Sequence, residues 1–207
     1  MLRRLIFPFL LCMCHTLCAQ ITEDRYDNGK LRAVGRMENG LKVGEWKYYY
    51  PDGTKNAVEF YQKDQLHGSC YYYSFAGNLI GYENWKNGIQ VDSAKYFYDN
   101  GIVEKEGVFQ AGSYQGEWVF YYENGKVKRK GTYQKGLPNG TWLFYYENGN
   151  IKQEGKFLNG MEEDEWKFYN EQGRLEYIGS YESGQRIGEW FYITKKGKKK
   201  PISIDDN

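Results

Sequence analysis

The chain has 207 residues, with 28 Lys and Arg against 27 Asp and Glu, for a formal net charge of +1. That balance lacks the basic stripe with which a protein holds nucleic acid, so no nucleic-acid partner is expected. Aromatic residues reach 18% while hydrophobic residues reach only 41%, a mixture suited to exposed pleated strands and unlike that of a helical bundle.

Residues 1–19 differ in kind from the rest of the chain. Arg3 and Arg4 precede an apolar run from Leu5 to Cys14, and small or neutral residues lead up to Ala19. This is the order of a secretory signal peptide, and the run is too short to span a bilayer as a stable helix. Cleavage is expected after Ala19, with retention as a membrane anchor the alternative. Cys12, Cys14 and Cys18 follow Leu, Met and Leu, not the small residue usual before a lipidated cysteine. Cleavage leaves Cys70 as the sole cysteine, so no intramolecular disulfide is expected.

From residue 22 onward a 24-residue period takes over. Trp118, Trp142, Trp166 and Trp190 are one period apart, and the same step backwards meets Ala94, Cys70 and Trp46. A turn glycine recurs at Gly29, Gly53, Gly77, Gly101, Gly125, Gly149, Gly173 and Gly197, several times as Asn-Gly. Asn-Gly between strand-like runs predicts a two-residue type I′ hairpin. A second turn falls eleven residues later, at Gly40, Gly88, Gly112, Gly136, Gly160 and Gly184, with Asp64 replacing glycine once. Asp visits positive φ more readily than most residues, so that replacement is expected to be tolerated.

Each unit is read as two strands, Trp118–Tyr122 and Val127–Tyr133 in the fifth copy. Alternation places Trp118, Phe120 and Tyr122 on one face and Glu117, Val119 and Tyr121 on the other. The hairpin register sets Trp118 opposite Gly131, which has no side chain to obstruct an indole lying over it. The small residue recurs at Gly35, Gly107, Gly155 and Gly179, while Glu59 and Glu83 break the row. Because 24 is even, every unit presents its Trp position on the same face. The first unit, residues 22–40, is degraded, as terminal repeats are. Units two to four, residues 43–112, are irregular and expected to be the softest, lacking two indoles worth about 4–6 kcal/mol each at most. Glu189–Ile193 reads as the last strand, followed by lysines and Pro201 that hinder pairing with a further chain.

The unit Gly-Glu-Trp-x-x-Tyr-Tyr-x-Asn-Gly-Lys, followed by Gly-x-Tyr and a second Asn-Gly, resembles the MORN repeat in its bacterial variant form. The resemblance spans about residues 22–199. It implies an elongated antiparallel sheet of stacked hairpins, agreeing with the register argument. The expected fold is therefore all-β: a single-layer antiparallel sheet of about seven to eight stacked 24-residue hairpins over 20–199. Such a ribbon is roughly 70 Å long, with a tail at 200–207. The resemblance also implies an interaction module, with attachment to membrane lipid proposed for some relatives and an antitoxin label carried by others.

No chemistry is expected. His67 is the only histidine after the leader, with no partner for a dyad and no soft ligands for zinc. Glu162-Glu163-Asp164-Glu165 lacks the alternating ligands of a calcium loop. Glu45, Glu117, Glu165 and Glu189 stand about 10 Å or more apart, too far for paired acid–base work. No catalytic, cofactor-binding or metal-binding residue is therefore assigned, and the chain is read as non-enzymatic. The candidate partner-binding row is Tyr49, Tyr73, Phe97, Tyr121, Tyr145 and Tyr169, which alternates away from the tryptophans. Packing on the stems of Lys128, Lys130 and Lys152 is the structural alternative for that row. The expected function is that of an exported, non-catalytic, protein-binding module of the bacterial cell envelope, periplasmic or secreted. An antitoxin-like inhibitor and a cell-wall carbohydrate binder are the alternatives, with a membrane surface as a further contact.

Overall fold

The computed structural model describes residues 20–203, and the expected signal peptide lies outside the described residues, as do residues 204–207 of the tail. One open 17-stranded sheet fills the described chain, and no helix occurs among these residues. It is a meander: strands pair antiparallel with their neighbours in sequence, from Gln20–Arg25 at one edge to Lys199–Ile202 at the other, except that the short Gln65–Leu66 and Gly68–Tyr73 both pair with Lys55–Gln62. Strand Lys199–Ile202 comes after the expected last strand and sets Pro201 opposite Phe191, so paired structure continues to Ile202.

The strands are longer than expected because each tryptophan strand begins directly at the preceding turn, as in Leu137–Tyr145. Two extra residues are accommodated early in that strand. Thr132 pairs with Asn139 while Gly131 pairs with Trp142, so Gly140 and Thr141 bulge outward. Gly140 has φ +82°, and Asp92 and Asp164 hold the same place in their units at +57° and +62°. An insertion of two residues leaves the alternation intact, which keeps the tryptophan on its face.

The type I′ turns fall at the second turn of each unit and not at the first, where they are expected. At the second turn both loop residues have positive φ, as at Lys135 (+53°) and Gly136 (+82°), and Gln134 pairs with Leu137. That is the type I′ hairpin. At Asn124-Gly125 only the glycine is positive, the Gly125 amide donates to Tyr122 and the Tyr122 amide to Lys126. This is a three-residue loop, a type I turn followed by a left-handed glycine. The expected register of Trp118 against Gly131 survives, because Lys128 is a one-residue bulge that offsets the odd loop. Asp64 does take the glycine place of a type I′ turn, at φ +64°.

Trp46, Trp118, Trp142, Trp166 and Trp190 are all buried, with Cys70 and Ala94 buried at the same place in their units. Among the described residues no second layer covers them. The expected location of the indole needs one correction: Trp118 is paired with Gly131, yet its ring leans the other way, over Gly107 of the preceding strand. A Cβ on Gly107 would lie less than 3.0 Å from the Trp118 ring, and Gly131, Gly155 and Gly179 stand likewise under Trp142, Trp166 and Trp190. A hydrogen bond accompanies the lean at three of these four, whereas Trp190 leans the same way with a buried Nε1 that has no partner among the described residues. Trp118 Nε1 donates to the Val108 carbonyl at 3.0 Å, and Trp142 and Trp166 do the same to Thr132 and Lys156. Edge-on rings close the sides: Phe109, Tyr133, Phe157 and Tyr181 alternate with the four indoles at centroid distances of 5.1–6.5 Å. Tyr114 stacks on Trp118 at 3.8 Å, and the Arg186 guanidinium lies 4.6 Å from Trp190. Glycine below, rings at the sides and a residue above bury an indole in one layer.

Candidate functional site

Both faces of the sheet carry aromatic rows, and what holds each row decides what it can do. The tryptophan face packs most of its rings against one another, leaving a hollow of about 270 Å³ beside Trp190, lined by Phe168, Tyr177, Arg186 and Ile202. The opposite face carries the candidate row of Tyr49, Tyr73, Phe97, Tyr121, Tyr145 and Tyr169, every member of it half-buried. Each is placed by the strand end that precedes a three-residue loop, so successive members are two strands, about 10 Å, apart.

Two of these rings are anchored. Tyr121 donates to Glu106 and Tyr169 to Glu154, each at 2.7 Å. Burial first, and then those carboxylates, push both phenols up to about 12, so they are neutral donors at physiological pH. Glu106 also accepts from Lys95 at 2.7 Å, which with Tyr121 holds its carboxyl below the usual range. Lys55 lies over the Tyr73 ring, and among the described residues the hydroxyls of Tyr49, Tyr73 and Tyr145 have no hydrogen-bond partner. Lys128 and Lys152, the expected cover for this row, instead lie over Tyr122 and Tyr146, at 5.5 and 5.7 Å.

The same face holds most of the large apolar side chains left in contact with water. Leu41, Tyr71, Ile89, Val108, Leu137, Leu158, Met161 and Ile187 are all exposed. Their pairings (Leu137 with Gln134, Leu158 with Met161, Ile187 with Ser180) place them an odd number of residues from the glycine row, hence opposite the indoles. Interleaved with Lys95, Glu106, Glu154 and Lys167, they make a mixed surface of apolar, phenolic and charged groups.

A second row is not apparent from the sequence. Tyr26, Tyr50, Tyr98, Tyr122 and Tyr146 each donate from the phenol to the backbone carbonyl 23 residues on, at 2.6–2.9 Å. Asn28, Asn100, Asn124 and Asn148 reach across neighbouring loops in the same step, at 2.7–3.2 Å. These bonds staple one unit to the next along one rim. The signal is present as the tyrosine that closes the aromatic pairs at Tyr50, Tyr98, Tyr122 and Tyr146, but alternation alone shows no partner across the unit boundary.

Reactive groups are few. The Cys70 thiol is buried, and that burial raises its pKa, so it is no thiolate nucleophile at neutral pH. His67 sits between two short strand segments, with Nδ1 3.3 Å from Asn87 Oδ1. Among the described residues no group of three or more His, Cys, Asp or Glu side chains is arranged to hold a metal ion. No helix among them is long and apolar enough to cross a membrane.

Three stretches, residues 42–63, 114–135 and 138–159, match the model of the MORN repeat variant. The chain carries MORN repeat variants. The matched MORN stretches begin in the tryptophan strand and end at the following type I′ turn, so each is one hairpin of the sheet, and the geometry extends the same unit to its neighbours. No curated protein matches the chain. Among solved structures, crystal structures titled TcdB2-TccC3-Cdc42 and TcdB2-TccC3 are similar at 11% and 12% identity. They cover 87% and 84% of this chain but only 12% and 13% of those chains, with TM-scores of 0.25 and 0.19. The chain thus spans about an eighth of their length, and likeness at that level carries no argument on fold or function.

Proposed function

We propose that this MORN-type array is an exported, non-catalytic module of the bacterial cell envelope that binds a protein partner along the face opposite its tryptophans. One observation carries the reading. The exposed apolar side chains gather on that face, beside the half-buried tyrosines and among charges of both signs, which is the composition of a protein contact surface. The tryptophan face has spent its aromatic surface on the fold itself. Export rests on the signal-like order of residues 1–19 and on a single cysteine beyond them.

Photo-crosslinkers placed at Tyr121 and at Tyr145, with a control at Pro138 on the tryptophan face, test this in the intact cell. Protein adducts are expected from the first two and not from the control, in the envelope fraction, on a chain that starts at Gln20. Adducts from Pro138 alone would put the partner on the wrong face. Retention by purified wall polysaccharide with no protein adduct would favour glycan binding. Rescue of a toxic neighbouring gene product would favour the inhibitor.

A further inference from the structure

The tyrosine staples are missing twice, and both places are hollow. The phenol position of the third unit is Ser74, and that of the seventh is Asn170. A hollow of about 310 Å³ lies beyond Ser74, lined by Asn78, Leu79, Phe97, Asp99, Asn100 and Gly101. Another, of about 260 Å³, includes Asn170, Arg174, Leu175, Ile193, Lys195 and Gly197. Adding 96, four periods, to Asn78, Leu79, Phe97, Asp99 and Gly101 gives the last five of these. The second hollow is therefore the first, four units on. Subtracting one period from the first leads to the place where Tyr50 lies against Phe75 at 5.1 Å and donates to the Tyr73 carbonyl.

We propose that the hollow beyond Ser74 is a socket for a tyrosine side chain supplied by a protein partner. The molecule displays the fitting group five times over: in each stapled unit a phenol fills this place and donates to the carbonyl at its floor. In the third unit the corresponding Phe97 carbonyl receives no side-chain donor among the described residues. The Ser74 hydroxyl, which is too short to reach it, is buried without a hydrogen-bond partner. Leu79 supplies an apolar wall for a ring, and Asn78 and Asn100 fix the rim by donating to the carbonyls of Asp99 and Glu123. The Asn170 hollow is a poorer socket. Asn170 donates to Glu176 within it and accepts from the Gln172 and Arg174 amides, and Arg174 and Lys195 line its walls. The inference rests on the protein-binding reading above, and extends the contact from the open face to the rim.

The probe is p-cresol, the tyrosine side chain alone, titrated into the full chain while the backbone resonances of Leu79, Phe97 and Asn100 are followed. Saturable shifts are expected with Kd on the order of 1 mM. The methyl ether 4-methylanisole, which has no proton to donate, should bind about tenfold more weakly. Ser74→Tyr should abolish the shifts and raise Tm. Equal binding of the two probes, no shift at these residues, or p-cresol binding unchanged in Ser74→Tyr overturns the socket. A partner crosslinked through Tyr121 is expected to bind Ser74→Tyr at least about tenfold more weakly. Equal binding overturns the socket and leaves the protein-binding reading in place, whereas no protein adduct at any position overturns both.

Discussion

The units from Ser113 to Ile193 and those from Leu41 to Gln110 solve one packing problem differently. In the first region every indole lies over a glycine of the preceding strand, and rings alternate without interruption from Phe109 to Trp190. In the second region Cys70 and Ala94 replace the indole, and Glu59 and Glu83 replace the glycine of the preceding strand in the same two units. The two losses go together. Glycine is required only where a ring must lie on the backbone, and without the ring a long side chain takes its space. Glu59 accepts from Tyr61 at 2.6 Å, and Glu83 accepts from Tyr96 at 2.5 Å and from Trp85 at 3.1 Å. Burial, and then these carboxylates, drive the Tyr61 and Tyr96 phenols well above their ordinary range. Apolar burial in one region is exchanged for a polar network in the other, whose strength depends on every member being satisfied.

The sharpest way to break that comparison is to remove a ring from the regular region. Trp142→Ala should cost about 3–5 kcal/mol in urea unfolding, against about 1 kcal/mol for Tyr145→Ala on the opposite face. Equal losses would contradict the assignment of faces. Next in size, Gly131→Ala should cost about 1–3 kcal/mol and shift tryptophan emission to the red, because the nearest atoms the added methyl meets are those of the Trp142 ring. Converting one region into the other probes the exchange itself. Cys70→Trp alone meets Glu59, but with Glu59→Gly beside it the pair should show a favourable coupling of about 0.5–3 kcal/mol in a double-mutant cycle. Additive effects would mean that the paired losses are coincidental.

Smaller effects concern the staples and the anchored phenols. Tyr146→Phe keeps the ring and removes one bond to the Tyr169 carbonyl, so about 1 kcal/mol is expected from its denaturation midpoint. Tyr121 and Tyr169 hold their protons more tightly folded, at about 12, than at the ordinary value of 10.0. Their contribution is complete below pH 10 and is lost as pH rises through 12, so stability should decline across that window. Tyr121→Phe should make the decline shallower.

The sequence revealed the period, the parity of the faces and the buried place of the tryptophans, because each follows from counting residues in a strand. It did not reveal which glycine lies beneath which indole. Pairing Trp118 with Gly131 matched Trp46 to Glu59 and so hid the exchange, which emerges only when the ring is seen to lean towards Gly107. The turn types were obscured for a related reason. Asn-Gly stands at both kinds of turn, and at Asn124 the asparagine serves by accepting from the Lys126 amide and reaching the next loop, without adopting positive φ itself. The half-buried tyrosines were legible as a row, whereas their carboxylate anchors lie 15 residues back, on a strand that alternation alone does not bring beside them.

The two rims of the sheet are joined by different means. Along the type I′ turns the joint is backbone to backbone: the Gly136, Gly160 and Gly184 amides donate to the carbonyls of Tyr114, Pro138 and Glu162, each 22 residues earlier. Substitution leaves such a joint in place, as Asp64 shows by donating to Lys42 in the same manner. Along the three-residue loops the joint is made by side chains, so a single codon can open it without loosening the rest. Sequence drift therefore has one rim on which to carve recesses copy by copy while the other acts as the spine.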